Sequence, residues 1–185
     1  MNYHNITTED MVNGTGLRTV LWVAGCNHHC KECHNPDTWN PNGGSHFGVK
    51  DEEEFFEKGS KDYIEGITFS VGDPLHPQNR EKIGQLAEKF KKTHPEKNIW
   101  VYTGYHLKDD LSFEDEYGEC FYFSHLSYID VLIDGKYESE TRRNDLQSGY
   151  KPAWRGSSNQ RLIDVQNSIK QGKIVLVEEE TLCCI

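Results

Sequence analysis

The run Thr19-Val20-Leu21-Trp22-Val23-Ala24-Gly25-Cys26-Asn27-His28-His29-Cys30-Lys31-Glu32-Cys33 governs how the rest of the chain is organised. Its first six residues are short, continuous and β-branched, the pattern of a buried strand, and Gly25 ends it. Three thiols follow within eight residues, so a short loop must point them at a common centre. Close-set thiolates suit an iron–sulfur cluster or zinc far better than magnesium or calcium. Cys-x3-Cys-x2-Cys offers three ligands; a fourth comes from a distant residue or from something that is not protein. On the residues alone three readings stand: iron–sulfur ligation, a structural zinc site completed by His28, His29 or His34, and buried cysteines without a metal. Structural zinc usually draws two close ligand pairs, and no second pair is placed to match. His28 and His29 are expected beside the thiols or in solvent rather than as ligands. Cys183 and Cys184 are adjacent, so they do not both turn easily onto one metal, and they read as a frayed end.

Working outward, Val12-Asn13-Gly14-Thr15-Gly16 is a turn after a polar start. Asn35-Pro36-Asp37 and Asn40-Pro41-Asn42-Gly43-Gly44 are loop signals. Asp51-Glu52-Glu53-Glu54-Phe55-Phe56 opens a helix whose carboxylates suit its dipole and whose acidic face is solvated. Gly66 to Val71 reads as a second buried strand, broken by Gly72-Asp73-Pro74. Asn79 can cap a helix carrying Ile83, Leu86, Ala87 and Phe90 at helical spacing. Asn98 to Thr103 is a third strand and Tyr128 to Ile133 a fourth, closed by Asp134-Gly135. Lys108 to Glu119 predicts a short helix and loop, and Glu138 to Gly149 an exposed loop. Arg161-Leu162-Ile163-Asp164 and Lys173-Ile174-Val175-Leu176-Val177 are short strand candidates around a small helix. Alternating strand and helix favours an α/β fold with a mostly parallel sheet. Four or five strands are too few for a closed eight-stranded barrel, so an open partial (β/α) barrel is predicted, one domain over residues 1–185. The thiols then lie at the C-terminal end of a strand, where such folds place their chemistry.

Two further stretches carry candidate chemistry. Gly72 lets a ligand approach the main chain, and Asp73 suits an amino-acid ammonium group; the alternative is a plain strand-to-helix turn. Trp154-Arg155-Gly156-Ser157-Ser158-Asn159-Gln160-Arg161 is rich in donors, as a capped turn or a contact loop is. No general base or nucleophile stands out.

Composition narrows the classes. The 185 residues carry a net charge of -10, which argues against nucleic acid or an anionic membrane as partner. Mean hydropathy is -0.77. No apolar run approaches the roughly 20 residues of a membrane span, and Met1-Asn2-Tyr3-His4-Asn5 lacks a signal-peptide pattern. Six cysteines, three of them clustered, fit metal chemistry in a reducing compartment, hence a cytoplasmic location.

The triplet Cys26-x3-Cys30-x2-Cys33 resembles the cluster signature of radical S-adenosylmethionine enzymes. Gly25-Cys26 with Cys33-His34-Asn35-Pro36-Asp37-Thr38-Trp39 is similar to that of the glycyl-radical-enzyme activating proteins. Within these the chain most resembles the family that activates anaerobic (class III) ribonucleoside-triphosphate reductases. The matching stretches are Val12-Asn13-Gly14, Gly72 to Asn79, Ile99 to Tyr105, Asp134-Gly135-Lys136 and Trp154 to Arg161. The resemblance implies a [4Fe-4S] cluster on Cys26, Cys30 and Cys33, its open iron chelated by S-adenosylmethionine. It places Glu32, Cys33 and His34 against that cofactor, with Gly72 and Asp73 at its methionyl end. Reductive cleavage would yield a 5′-deoxyadenosyl radical that takes a hydrogen from a glycine of the reductase large subunit, with reduced flavodoxin as a typical electron donor. The sequence departs from the family twice. Glu32 stands where an aromatic residue is common, and Val71-Gly72-Asp73 where Gly-Gly-Asp or Gly-Gly-Glu is usual. The rival readings are an activase of another glycyl radical enzyme, of the pyruvate formate-lyase type, and a non-catalytic zinc-stabilised binding module.

Overall fold

The computed structural model describes residues 1–115, 117–142 and 154–178. In chain order its elements are β1 (Asn2–Asp10), β2 (Arg18–Val23), β3 (Ser45–His46), α1 (Val49–Gly59), β4 (Gly66–Ser70), α2 (Arg80–Thr93), β5 (Asn98–Tyr102), β6 (Ser112–Glu114), β7 (Cys120–Tyr122), β8 (Val131–Asp134), β9 (Arg161–Asp164) and α3 (Val165–Gln171). Seven strands form one sheet in the order β3-β1-β2-β4-β5-β8-β9. Its centre is parallel: β2 on β4, β4 on β5 and β5 on β8. The flanks, β1 with β3 and β9, run antiparallel. Among the described residues no pairing joins β3 to β9, so the sheet keeps two edges.

The central strands are parallel because their faces are covered on the helix side. Leu21, Val23, Ile67, Phe69, Ile99, Val101 and Leu132 form one cluster with Phe55 of α1 and Ile83, Leu86 and Phe90 of α2. Strand residues alternate faces, and the opposite face holds a second cluster of Trp100, Ile133 and Leu162, with Tyr102 and Trp154 against it. Arg18, fully buried, lies over the Trp100 ring at 5.2 Å. Its guanidinium donates to the Thr68 hydroxyl at 2.6 Å, the Asn98 side-chain oxygen at 2.7 Å and the carbonyls of Thr15, Ile67 and Asn98. Burial pulls its pKa down to about 10, so it stays charged at neutral pH. Arg18→Met should lower stability by about 3 kcal/mol, because five acceptors lose a charged donor inside the sheet. An unchanged denaturant midpoint would contradict that.

Several expectations need correction. The polar start is a nine-residue strand, β1, held by main-chain pairing and by Thr7, whose hydroxyl accepts the Trp22 indole N–H at 2.8 Å. No β1 residue is fully buried, so it gave no apolar signal. The described residues of 108–119 form no helix: they include β6, which pairs with β7 as a hairpin. Stacked Phe113 and Phe121 close the core there. The strand expected from Tyr128 begins at Val131, after a 3-10 turn over Leu126–Tyr128. Around Lys173–Val177 only one bridge forms, Ile163 with Leu176. The exposed loop from Glu138 starts with a 3-10 turn, Ser139–Thr141; residues 143–149, Cys183 and Cys184 lie outside the described residues. The acidic face of α1 is only partly solvated, since Glu52 takes Lys82 and Lys89 at 2.7 and 2.5 Å. Among the described residues no helix is long and apolar enough to cross a membrane.

Register gathers the loops. Trp22 lies opposite Ser70, Phe69 opposite Val101, and Tyr102 opposite Ile133, so the chain leaves β2, β4, β5 and β8 along one rim of the sheet. Asp134 pairs with Arg161 in the reversed strand, which returns residues 156–160 to that same rim.

Candidate metal centre

The loop after β2 is wound tightly. Cys26 N–H donates to Trp39 O at 3.1 Å and Cys33 N–H to Cys30 O at 3.2 Å. His29 and Glu32 take positive φ, 47° and 56°, an uncommon conformation for side-chain-bearing residues. The winding brings Cys26, Cys30 and Cys33, each partly exposed, to one cleft of ≈ 200 Å³ that opens to solvent. Among the described residues no three His, Cys, Asp or Glu side chains are drawn together as a metal-holding group. The thiols therefore share a cleft without closing round one point, which is looser than the spacing led us to expect.

The surroundings suit electron-rich sulfur. Cys26 accepts the N–H of His28, Cys30 those of Tyr137 and Cys30 itself, and Cys33 that of Asn35 at 3.4 Å. Such N–H donors tune the potential of thiolate-bound clusters. Burial, with Asp73 nearby, pushes the Cys26 thiol up to about 12, and burial raises Cys30 as well. Both are thus neutral thiols when metal-free, and metal binding must release their protons. The three nearby imidazoles are held differently, and His34 lines the cleft beside the thiols. His28 Nε2 is 2.6 Å from Asp73, the His29 ring packs on Trp39, and the His34 ring packs on Tyr137 at 4.8 Å.

Gly72 lines the same cleft at the end of β4. Its φ is +57°, and a Cβ there would sit 2.6 Å from Val23 O and 3.0 Å from Gly25 O. Val71 before it also has positive φ, 59°. A β-branched residue is strained in that region, by about 1–3 kcal/mol. The glycine usual at this place in the family the sequence resembles thus has a backbone reason. Asp73, expected at a ligand ammonium group, is buried and is not part of the cleft lining. It faces inward to His28, Thr103, Gly104 and Leu75, which occupy its oxygens.

Glu32 is exposed and outside the lining, whereas His34 and Cys33 are part of it. The model of a 4Fe-4S single cluster domain family matches residues 12–163, which include all three cysteines and the rim loops. The chain is 44% identical over 162 residues to the anaerobic ribonucleoside-triphosphate reductase-activating protein of Enterobacteria phage T4, covering 88% of this chain and 93% of that one. The chain belongs to the anaerobic ribonucleoside-triphosphate reductase-activating protein family. Members from Escherichia coli K12 and Vibrio cholerae are 39% and 38% identical over 162 residues, each covering 86% of this chain and 96% of its own. The family model supports an iron–sulfur cluster as a cofactor of the chain.

In this activating-protein family member the stretch from Gly72 to Asn79 braces the cysteine loop. Asp73 N–H donates to Gly25 O at 2.7 Å, and the His76 ring meets the Asn27 side chain at 3.1 Å. Asn79 sits at the N-cap position of α2 but makes no side-chain cap bond. It donates to Ala24 O at 2.8 Å and Asp73 O at 2.9 Å instead. The stretch from Trp154 to Arg161 spends its donors largely inside. Gln160 accepts Gly156 N–H at 2.8 Å and donates to Gly135 O at 2.9 Å, and Arg161 pairs with buried Asp134. It is a capped turn whose Gly156 and Gln160 also line the cleft. Tyr102 and Tyr137 line it too, and their hydroxyls are buried without a hydrogen-bond partner among the described residues. No sequence signal singled them out beyond their place beside strand ends.

Proposed function

We propose that this chain activates an anaerobic ribonucleoside-triphosphate reductase by generating a glycyl radical on it. It would hold a [4Fe-4S] cluster on Cys26, Cys30 and Cys33 and bind S-adenosylmethionine in the adjoining cleft. The observation that carries the reading is that the three thiols and Gly72 line one cleft at the rim of the sheet. When bound, the cluster and cofactor supply a one-electron cleavage of the sulfonium, giving methionine and an abstracting carbon centre that removes one hydrogen from a glycine. The chain supplies ligation, position and shelter from water. The main chain at Val71 and Gly72 would meet the amino-acid end of the cofactor, and Cys33 and His34 would lie against it. The open-edged sheet, read as a partial barrel, leaves room at the rim for a peptide loop of the partner. Reduced flavodoxin, or another low-potential one-electron donor, would supply the electron.

Electron paramagnetic resonance of the anaerobically reconstituted, reduced protein tests this. A cluster signal that shifts on adding S-adenosylmethionine supports it; zinc in place of iron, or a signal indifferent to the cofactor, refutes it. Radical formation on reductase and on pyruvate formate-lyase, assayed side by side, decides the partner.

A further inference from the structure

Asp73 joins three loops at the floor of the cleft. Its oxygens accept the Thr103 hydroxyl at 2.9 and 3.0 Å, the Gly104 N–H at 2.9 Å and the Leu75 N–H at 2.7 Å. Oδ2 already serves as acceptor to two of these, so the 2.6 Å contact with His28 is a donation from Nε2. The His28 side chain is only 5% exposed. Its ring meets Tyr105 edge-on at 4.6 Å and lies against Gly104, where a Cβ would come within 2.3 Å of it. One ring is thus fixed by a carboxylate, an aromatic edge and a glycine. That ring lines the cysteine cleft and also a second cavity of ≈ 280 Å³ bounded by His106, Lys108 and Lys136, so it is the wall between them.

We propose that His28 is a cofactor-contacting side chain, and that Asp73 positions it. Asp73 acts on a bound sulfonium amino acid through the imidazole ring, rather than by pairing with the ammonium group itself. This inference rests on the function proposed above. The carboxylate braces three loops, and with Gly104 it also fixes the orientation of this one ring. The ring borders open space on both sides.

A double-mutant cycle separates the two roles. The readout is the concentration of S-adenosylmethionine that half-converts the reduced cluster's resonance spectrum, with iron content measured on each sample. Asp73→Asn and His28→Ala are each expected to raise it roughly 10- to 100-fold, the usual effect of removing a partner that orients a site residue. The double variant should be no worse than His28→Ala alone. Gly104→Ala, which displaces the ring while leaving Asp73 intact, should reproduce the loss. Additive effects in the double variant would overturn the proposal, because Asp73 would then act by a route other than the His28 ring. So would wild-type affinity in Gly104→Ala with full iron, or loss of iron in all three single variants, which marks a purely structural role. A wild-type spectrum that ignores the cofactor sinks the function and this inference together; a responsive wild type with additive variants sinks the inference alone.

Discussion

Cys30→Ala protein, purified without oxygen, is expected to be colourless, to lack cluster absorbance and to form no glycyl radical on a reductase. Two thiols cannot hold a cube that needs three, and the nearby His28 is already taken up by Asp73. The fold should survive. Cys30 is partly exposed in a loop and belongs to neither hydrophobic cluster, so its truncation costs at most about 1 kcal/mol. Iron determination together with a denaturation curve checks both halves. Full iron in this variant would remove the basis of the assignment.

Gly72→Val should have the second largest effect, and the structure enlarges what the sequence suggested. On the sequence alone the change blocks cofactor binding and spares the cluster. Here the added Cβ meets two carbonyl oxygens, those of Val23 and Gly25, at 2.6 and 3.0 Å, at a φ of +57°. Relief requires the end of β2 to move, and Cys26 follows Gly25 directly. We therefore expect loss of cofactor binding together with weakened iron retention, measurable as iron per chain after gel filtration. Normal iron with only the cofactor response lost would return the role of Gly72 to cofactor contact alone.

The central strands were legible because burial on both faces leaves short apolar runs, as at Val20-Leu21-Trp22-Val23 in β2. The metal loop was legible because thiol spacing is chemistry in itself. What escaped was whatever is held by main-chain pairing or by isolated aromatic contacts. β1 has no buried residue, and β6 offers one fully buried aromatic, Phe113, between Ser112 and Glu114. The side chains of Asp73, His76 and Asn79 were visible as a motif, but not the direction in which they point. A carboxylate drawn as a ligand for substrate turned out to face the protein, and a cap residue turned out to tie two loops. Such choices depend on which donors the fold brings near, and no local pattern records that. Arg18 makes the same point: nothing local marks it as buried, yet it lies over Trp100 on the sheet's second face.

Val71 gives the molecule a built-in site for engineering. Because its side chain is carried in a mirror-image backbone state, replacing it with glycine removes a penalty where such a change ordinarily adds one. Val71→Gly should leave the melting temperature level or raise it, against the usual fall for a strand-end valine. A more durable protein obtained this way would also have a roomier cleft wall, linking shelf life to how tightly a small molecule is gripped.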